Sequence, residues 1–202
     1  LISATIVLYY NAFRYGFFQD DWLHLLNTQG PIGGLLKFFT DNSAIYYRPL
    51  GIQLAYWLQQ KIFGPEPIYW HGFSLLIHLL NTGLVYALIT KITKNKTVSF
   101  LASFLYATSA IHFISLFWLA ETNLLLGALV LWLSLNVYLS GWFGLSLILF
   151  ALGLLTHEIT IIFPALVILF RRPPKVYFMT LISLAAAYLL LRLVILPIPT
   201  TG

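Results

Sequence analysis

Apolar runs on the order of 20 residues recur along this chain, with few charged side chains inside them. Charged residues fill 8% of the 202 positions and hydrophobic ones 60%, against roughly 25% charged in a soluble domain. So few charges cannot cover a water-facing surface. The expected fold is an all-α polytopic membrane helix bundle. The formal net charge of +5 does not point to nucleic acid: the basic residues gather in two short clusters, without a basic groove or stacking platform, and nucleic acid is excluded as a partner. The absence of cysteine excludes disulfides and thiolate metal sites.

Seven membrane-spanning segments are expected, in one transmembrane domain covering residues 1–202. They are Leu1–Phe13, Ile68–Thr90, Thr97–Leu116, Leu119–Leu139, the two halves of Trp142–Phe170, and Val176–Ile195. The run from Trp142 to Phe170 would be roughly 43 Å long as one helix, more than a ~30 Å hydrocarbon core needs. Thr156-His157-Glu158 sits at its middle, so it is split there. Residues 14–67 form a long first extracytoplasmic loop, with short juxtamembrane helices expected at Asp20–Asn27 and Pro31–Phe39. Arg48–Phe63 is apolar but short, and carries Gln53, Gln59, Gln60 and Lys61. It is read as lying at the interface rather than crossing. The chain starts at Leu1 rather than Met and ends in Pro197-Ile198-Pro199-Thr200-Thr201-Gly202, which reads as the start of a loop. A longer parent protein is expected.

Orientation follows from Lys and Arg, which favour the cytoplasmic side of a membrane protein. With the two assignments just made, the cluster Lys91, Lys94, Lys96 and the cluster Arg171, Arg172, Lys175 fall on one side. Reversing either assignment alone separates them. The same count puts Asp20, Asp21, Arg48, His71, Glu121, His157 and Glu158 at the opposite, extracytoplasmic face. Ionisable groups at a membrane are costly unless they pair or line a wet cavity, so their convergence reads as a site.

Asp20-Asp21 is the sharpest feature. Two carboxylates just outside the first span can act as a general base or hold a divalent metal ion; an Asp here also suits the cap of the helix starting at Trp22. The metal remains unknown. Arg48 precedes Pro49, a residue suited to a first helical position, and its guanidinium matches phosphate oxygens or snorkels. His71, Ser74, His78 and Asn81 share one helix face, which suits a substrate site at His71 or hydrogen bonds between helices. Glu121 opens a span, where the helix dipole favours an anion. His157 and Glu158 occupy the expected break, and Arg192 is one partner that would neutralise Glu158.

The order Asp20-Asp21-Trp22, Tyr47-Arg48-Pro49-Leu50, Phe63-Gly64, His71, His78-Leu79-Leu80-Asn81 and His157-Glu158-Ile159-Thr160-Ile161-Ile162-Phe163-Pro164 resembles the multi-spanning GT-C glycosyltransferases. It is most similar to bacterial members and to the protein O-mannosyltransferase-like group with tetratricopeptide tails. The resemblance covers nearly the whole chain, as the family's N-terminal module. It implies transfer of a hexosyl or pentosyl group from a polyprenyl-phosphate-linked sugar, outside the cytoplasm, in the bacterial inner membrane. It also implies a general base at Asp20 or Asp21, with Asp20 first in the family's acidic pair. Arg48 and His71 would meet the carrier phosphate or acceptor, together with Glu121, His157 and Glu158. The family often carries Lys-Glu where this chain has His157-Glu158.

Two other readings compete. One is a non-catalytic subunit of GT-C descent that packs with other membrane protein subunits and membrane lipids. The other is a transporter, which broken helices favour, but the charges cluster at one face and no inverted repeat is visible.

Overall fold

The computed structural model of this chain describes residues 1–31, 34, 36–40 and 46–195. Among the described residues all regular structure is helical. In chain order, α1 (Ile2–Tyr9) tightens into a 3-10 turn, Tyr10–Arg14. After it come α2 (Asp20–Asn27), α3 (Lys37–Thr40), a π-helical turn Pro49–Leu54 and α4 (Ala55–Phe63). The long α5 (Pro67–Thr93) leads to α6 (Lys96–Thr108), a 3-10 turn Ala110–His112 and α7 (Phe113–Phe117). A 3-10 turn Leu119–Glu121 opens α8 (Thr122–Leu139). Then come α9 (Phe143–Thr156), a 3-10 turn Glu158–Ile162, α10 (Phe163–Phe170) and α11 (Lys175–Leu190), which ends in a π-helical turn, Leu191–Ile195.

Three helical stretches are long and apolar enough to cross a membrane: Pro67–Thr93, Leu119–Leu139 and Lys175–Val194. A fourth exists if Lys96–Thr108 and Ala110–Phe117 act as one span bent by 41°. The expected seven crossings therefore resolve into three or four helices of full length, with shorter apolar helices beside them. α9 and the stretch Glu158–Phe170 are each about 20 Å long at 1.5 Å per residue. Bulky side chains such as Leu76, Leu80, Leu101, Leu105, Ile148, Leu169 and Met179 are exposed on the outside of the bundle. An apolar exterior of this kind is costly in water and favourable in lipid.

α5 is the axis of the bundle. Buried polar side chains tie it to its neighbours: Asn81 Nδ2 donates to Leu125 O at 2.9 Å, and Ser74 Oγ meets Thr122 Oγ1 at 2.7 Å. Asn136 Nδ2 of α8 donates back to Leu84 O at 3.0 Å. Such bonds hold helices together where lipid offers no hydrophobic driving force. Asn95 caps α6, accepting from the Thr97 and Val98 N–H groups.

α8 shows which features share an end. At its C-terminal end, Lys91 Nζ donates to Asn136 O at 2.7 Å and Ser140 Oγ at 2.8 Å, and Tyr138 OH donates to Arg171 O at 2.7 Å. Both basic clusters thus begin at one end, the basic end. At the N-terminal end of α8, Asn123 meets Arg48, whose other partner is Glu158. This is the acidic end. The segment Arg48–Phe63 stays there. Arg48 sits at the start of α8, and Trp70 Nε1, at the start of α5, donates to Gly64 O at 3.0 Å.

Several expectations meet the structure in detail. The short helix expected at Asp20–Asn27 is α2, with the same bounds. Of the helix expected at Pro31–Phe39, residues 32, 33 and 35 lie outside the described residues and a helical turn occupies Lys37–Thr40. The terminal stretch Pro197–Gly202 also lies outside them. The split in 142–170 falls at His157, whose backbone is extended (φ −161°, ψ 139°). The span expected straight from Thr97 to Leu116 bends at Ser109, where the extended residue turns its hydroxyl to the Ile111 N–H.

Candidate functional site

The acidic end holds a cavity of about 290 Å³ lined by Asp20, His24, Tyr46, Arg48, Glu121 and Asn123, among others. Three chain segments contribute to it. Each begins a helical stretch there: Gln19 leads into α2, Arg48 precedes the Pro49 turn, and Trp118 leads into the turn before α8.

The acidic pair divides its duties. Successive helix positions point about 100° apart, so one Asp turns inward and its neighbour outward. Asp21 is fully buried. Its Oδ1 accepts the Tyr56 hydroxyl at 2.9 Å and its Oδ2 accepts the Phe18 N–H at 3.0 Å. The Ala120 N–H also bonds it. The bond to Phe18 reaches back from the first turn of α2, as the return half of a capping box does. Burial raises the Asp21 carboxyl above its ordinary range, and the three donors only partly oppose this. The same pairing pushes the Tyr56 hydroxyl far up, chiefly by burial and then by the Asp21 charge. Asp20 is exposed and faces the cavity. Gln19, just before the pair, has φ +49° and ψ −121°, a region costly for a side-chain-bearing residue. The turn it makes sets the pair on the end of α2.

His24 follows Asp20 by one helical turn and lines the same cavity. Burial holds its imidazole below the usual histidine range; Arg48 adds to that and Asp20 opposes it. A neutral imidazole one turn from a free carboxylate suits proton exchange.

Arg48 is nearly buried. Its Nε donates to Glu158 Oε2 at 2.7 Å, its Nη1 donates to Asn123 Oδ1 at 2.9 Å, and its guanidinium lies 4.3 Å from the Tyr46 ring centroid. Asn123 is fixed in turn by donating to Ala120 O. The contact of Gly51 with the Thr156 carbonyl brings this strand of chain against the break: a Cβ on Gly51 would lie 2.1 Å from Thr156 O. Glycine is required there by that close approach. His157 Nδ1 accepts the Ile159 N–H at 3.1 Å and lies 3.5 Å from Glu158 Oε2.

The seven residues singled out from sequence are thus distributed in three ways. Asp20, Arg48 and Glu121 line one cavity. Glu158 and His157 stand behind Arg48, and Asp21 is buried against Tyr56. His71 is elsewhere: it is buried, and its Nδ1 meets Leu116 O at 3.1 Å, which pins α5 to α7. Tyr56 and His24 were not anticipated. His24 carries a usable signal in its spacing from Asp20, whereas nothing local marks Tyr56 as the partner of Asp21. Among the described residues no group of three or more His, Cys, Asp or Glu could hold a metal ion. Each Asp21 oxygen accepts one hydrogen bond, while Asp20 faces the cavity.

Comparison with protein-family models, with curated proteins and with solved structures finds no match.

Proposed function

We propose that this chain is a glycosyltransferase-like membrane module that passes a sugar from a polyprenyl-phosphate donor to an acceptor at its acidic end. The observation that carries the reading is the cavity in which an accessible carboxylate, Asp20, shares the walls with Arg48 and Glu121. The basic end would face the cytoplasm, with all seven apolar segments in the membrane and α9 and α10 forming a short hairpin whose tip is His157. That places the cavity at the extracytoplasmic face.

In this reading Asp20 takes the proton from an acceptor hydroxyl. The hydroxyl oxygen bonds to the anomeric carbon as the bond from that carbon to the carrier phosphate oxygen breaks, and the electron pair leaves with the phosphate. Asp21 holds the end of α2 in place and touches no substrate. Arg48 is the cation on the cavity wall. A guanidinium has five N–H donors, and the bonds to Glu158 and Asn123 employ two of them. The others serve the departing phosphate. The Asn123 and Glu158 contacts fix the plane of the guanidinium, so little reorganisation is needed when charge develops.

A second reading has its own support. Asp21 and Arg48 each bond to side chains or backbone of other segments, which is what a packing layer in a non-catalytic subunit also requires. Separate Asp20→Asn and Asp21→Asn variants of the full-length protein decide between the two, with transfer from a polyprenyl-phosphate sugar and thermal unfolding measured on each. The base assignment expects Asp20→Asn to lose about 10²–10⁴ in rate with unchanged unfolding. Near-full transfer by Asp20→Asn and by the double variant would favour the packing role.

A further inference from the structure

A second cleft lies apart from the acidic cavity. It has a volume of about 960 Å³ and lies between the first segment, Leu8 to Tyr15, and the bent stretch Thr108–Phe117. The bent stretch forms one of its walls. α6 and the 110–117 stretch turn by 41° at Ser109, and Tyr9 OH clamps the wall there by donating to Ser109 O at 2.8 Å.

Its lining is mixed. Leu8, Phe113 and Ile114, all well exposed, are apolar wall. Asn11, Arg14 and Tyr15 are the polar part of the lining. Arg14 is exposed, with the Tyr10 ring 5.8 Å from its guanidinium carbon. Among the described residues its guanidinium forms no ion pair with a carboxylate. An unneutralised guanidinium at the head of an apolar cleft, beside a membrane-compatible surface, is complementary to one kind of molecule. It must carry a single anionic phosphate at one end and hydrocarbon at the other.

We propose that this cleft binds one anionic phospholipid from the surrounding bilayer, its phosphate on Arg14 and its acyl chains along Leu8, Phe113 and Ile114. The site is separate from the acidic cavity, uses none of its residues, and stands whether or not the chain transfers sugar. A phosphate near one Arg gains on the order of 1 kcal/mol, so loss of the charge should weaken the anionic lipid about fivefold.

The test uses full-length protein in detergent. Phosphatidylglycerol, phosphatidylcholine and an undecaprenyl phosphate probe are each titrated, and bound lipids are counted by native mass spectrometry. Three proteins are compared: wild type, Arg14→Gln, and Arg172→Gln at the opposite end. Expected is one phosphatidylglycerol bound more tightly than phosphatidylcholine, an approximately fivefold loss in Arg14→Gln alone, and phosphatidylcholine unchanged in all three. A bulky Ile114→Trp, at a position 59% exposed, should lower retention of both phospholipids by filling the cleft. Unfolding temperatures measured without added lipid check that each variant is folded. Equal phosphatidylglycerol affinity in wild type and Arg14→Gln would overturn the proposal. So would a clear preference for undecaprenyl phosphate over phosphatidylglycerol, which would make the occupant a carrier lipid instead.

Discussion

Breaking the Arg48–Glu158 pair should reveal how far the acidic end depends on it. The two charged groups meet at 2.7 Å, with the Arg48 side chain 10% exposed and that of Glu158 37% exposed. Coulomb attraction at ~4 Å and an effective dielectric of ~20 is about 4 kcal/mol. Water reaching Glu158 offsets part of this. A fully buried pair costs roughly 3–5 kcal/mol to break from one side, and a surface pair is worth about 0–1 kcal/mol. Glu158→Gln leaves a nearly buried guanidinium with only the neutral Asn123 amide and the Tyr46 ring, so about 3 kcal/mol is expected near the lower buried limit. Arg48→Met also loses the Asn123 bond and the Tyr46 stack, but leaves a carboxylate that water can reach, and about 2–3 kcal/mol is expected. The double variant should then cost about 3–4 kcal/mol, a coupling energy of about 2 kcal/mol. Reversible unfolding in detergent micelles, followed by tryptophan fluorescence, measures all four proteins of the cycle. A coupling below about 0.5 kcal/mol would refute the reasoning and leave Glu158 a solvated carboxylate independent of Arg48.

Three further outcomes follow from local geometry. Gly51→Ala should lower the unfolding temperature, since its Cβ would sit 2.1 Å from the Thr156 carbonyl oxygen and overpacking costs about 1–3 kcal/mol; an unchanged temperature would deny that approach. Gln19→Gly should unfold at or above the wild-type temperature while Gln19→Val unfolds below it, because φ +49° strains a β-branched residue most; the opposite order would count against the turn. Burial raises the folded pKa of Asp21 above its ordinary 3.8, so its favourable contribution is complete below that value and is lost as pH rises through the folded pKa. Relative to wild type, Asp21→Asn should therefore look more stable at pH 7 than at pH 4 in paired melting curves, and a flat difference would contradict the burial effect.

What could be read from sequence was local or set by length. The 142–170 run was too long for one span and had its polar residues at the middle, so the break at His157 was accessible. Arg48–Phe63 was too short and too rich in glutamine to cross, and it stays at one end of the bundle. The partners inside the site were not accessible, because each pairing joins distant segments. Glu158 pairs with Arg48, 110 positions away, and nothing local to either residue encodes that meeting. His71 sits on the expected helix face, but past the bend at Ser109 the Leu116 carbonyl meets its Nδ1. No periodicity in α5 encodes a bend in the next span.

The placement of the charges has one physical origin. Asp20 and Asp21 lie in the first turn of α2, Glu121 in the 3-10 turn before α8, and Glu158 at the start of the turn before α10. Each anion stands where a helical segment leaves its first N–H groups without internal partners and where the dipole favours negative charge. An unbroken apolar helix offers no such place within its length. The breaks at Gln19, Trp118 and His157 are therefore what allow carboxylates to be tolerated in so apolar a chain. Arg48, itself just ahead of a helical start, is in the position least favoured by the same dipole, and Glu158 supplies the compensation that the backbone does not. The polar end of the bundle is built from interrupted helices, and losing the Glu158 charge should disturb Arg48 more than any of the carboxylates around it.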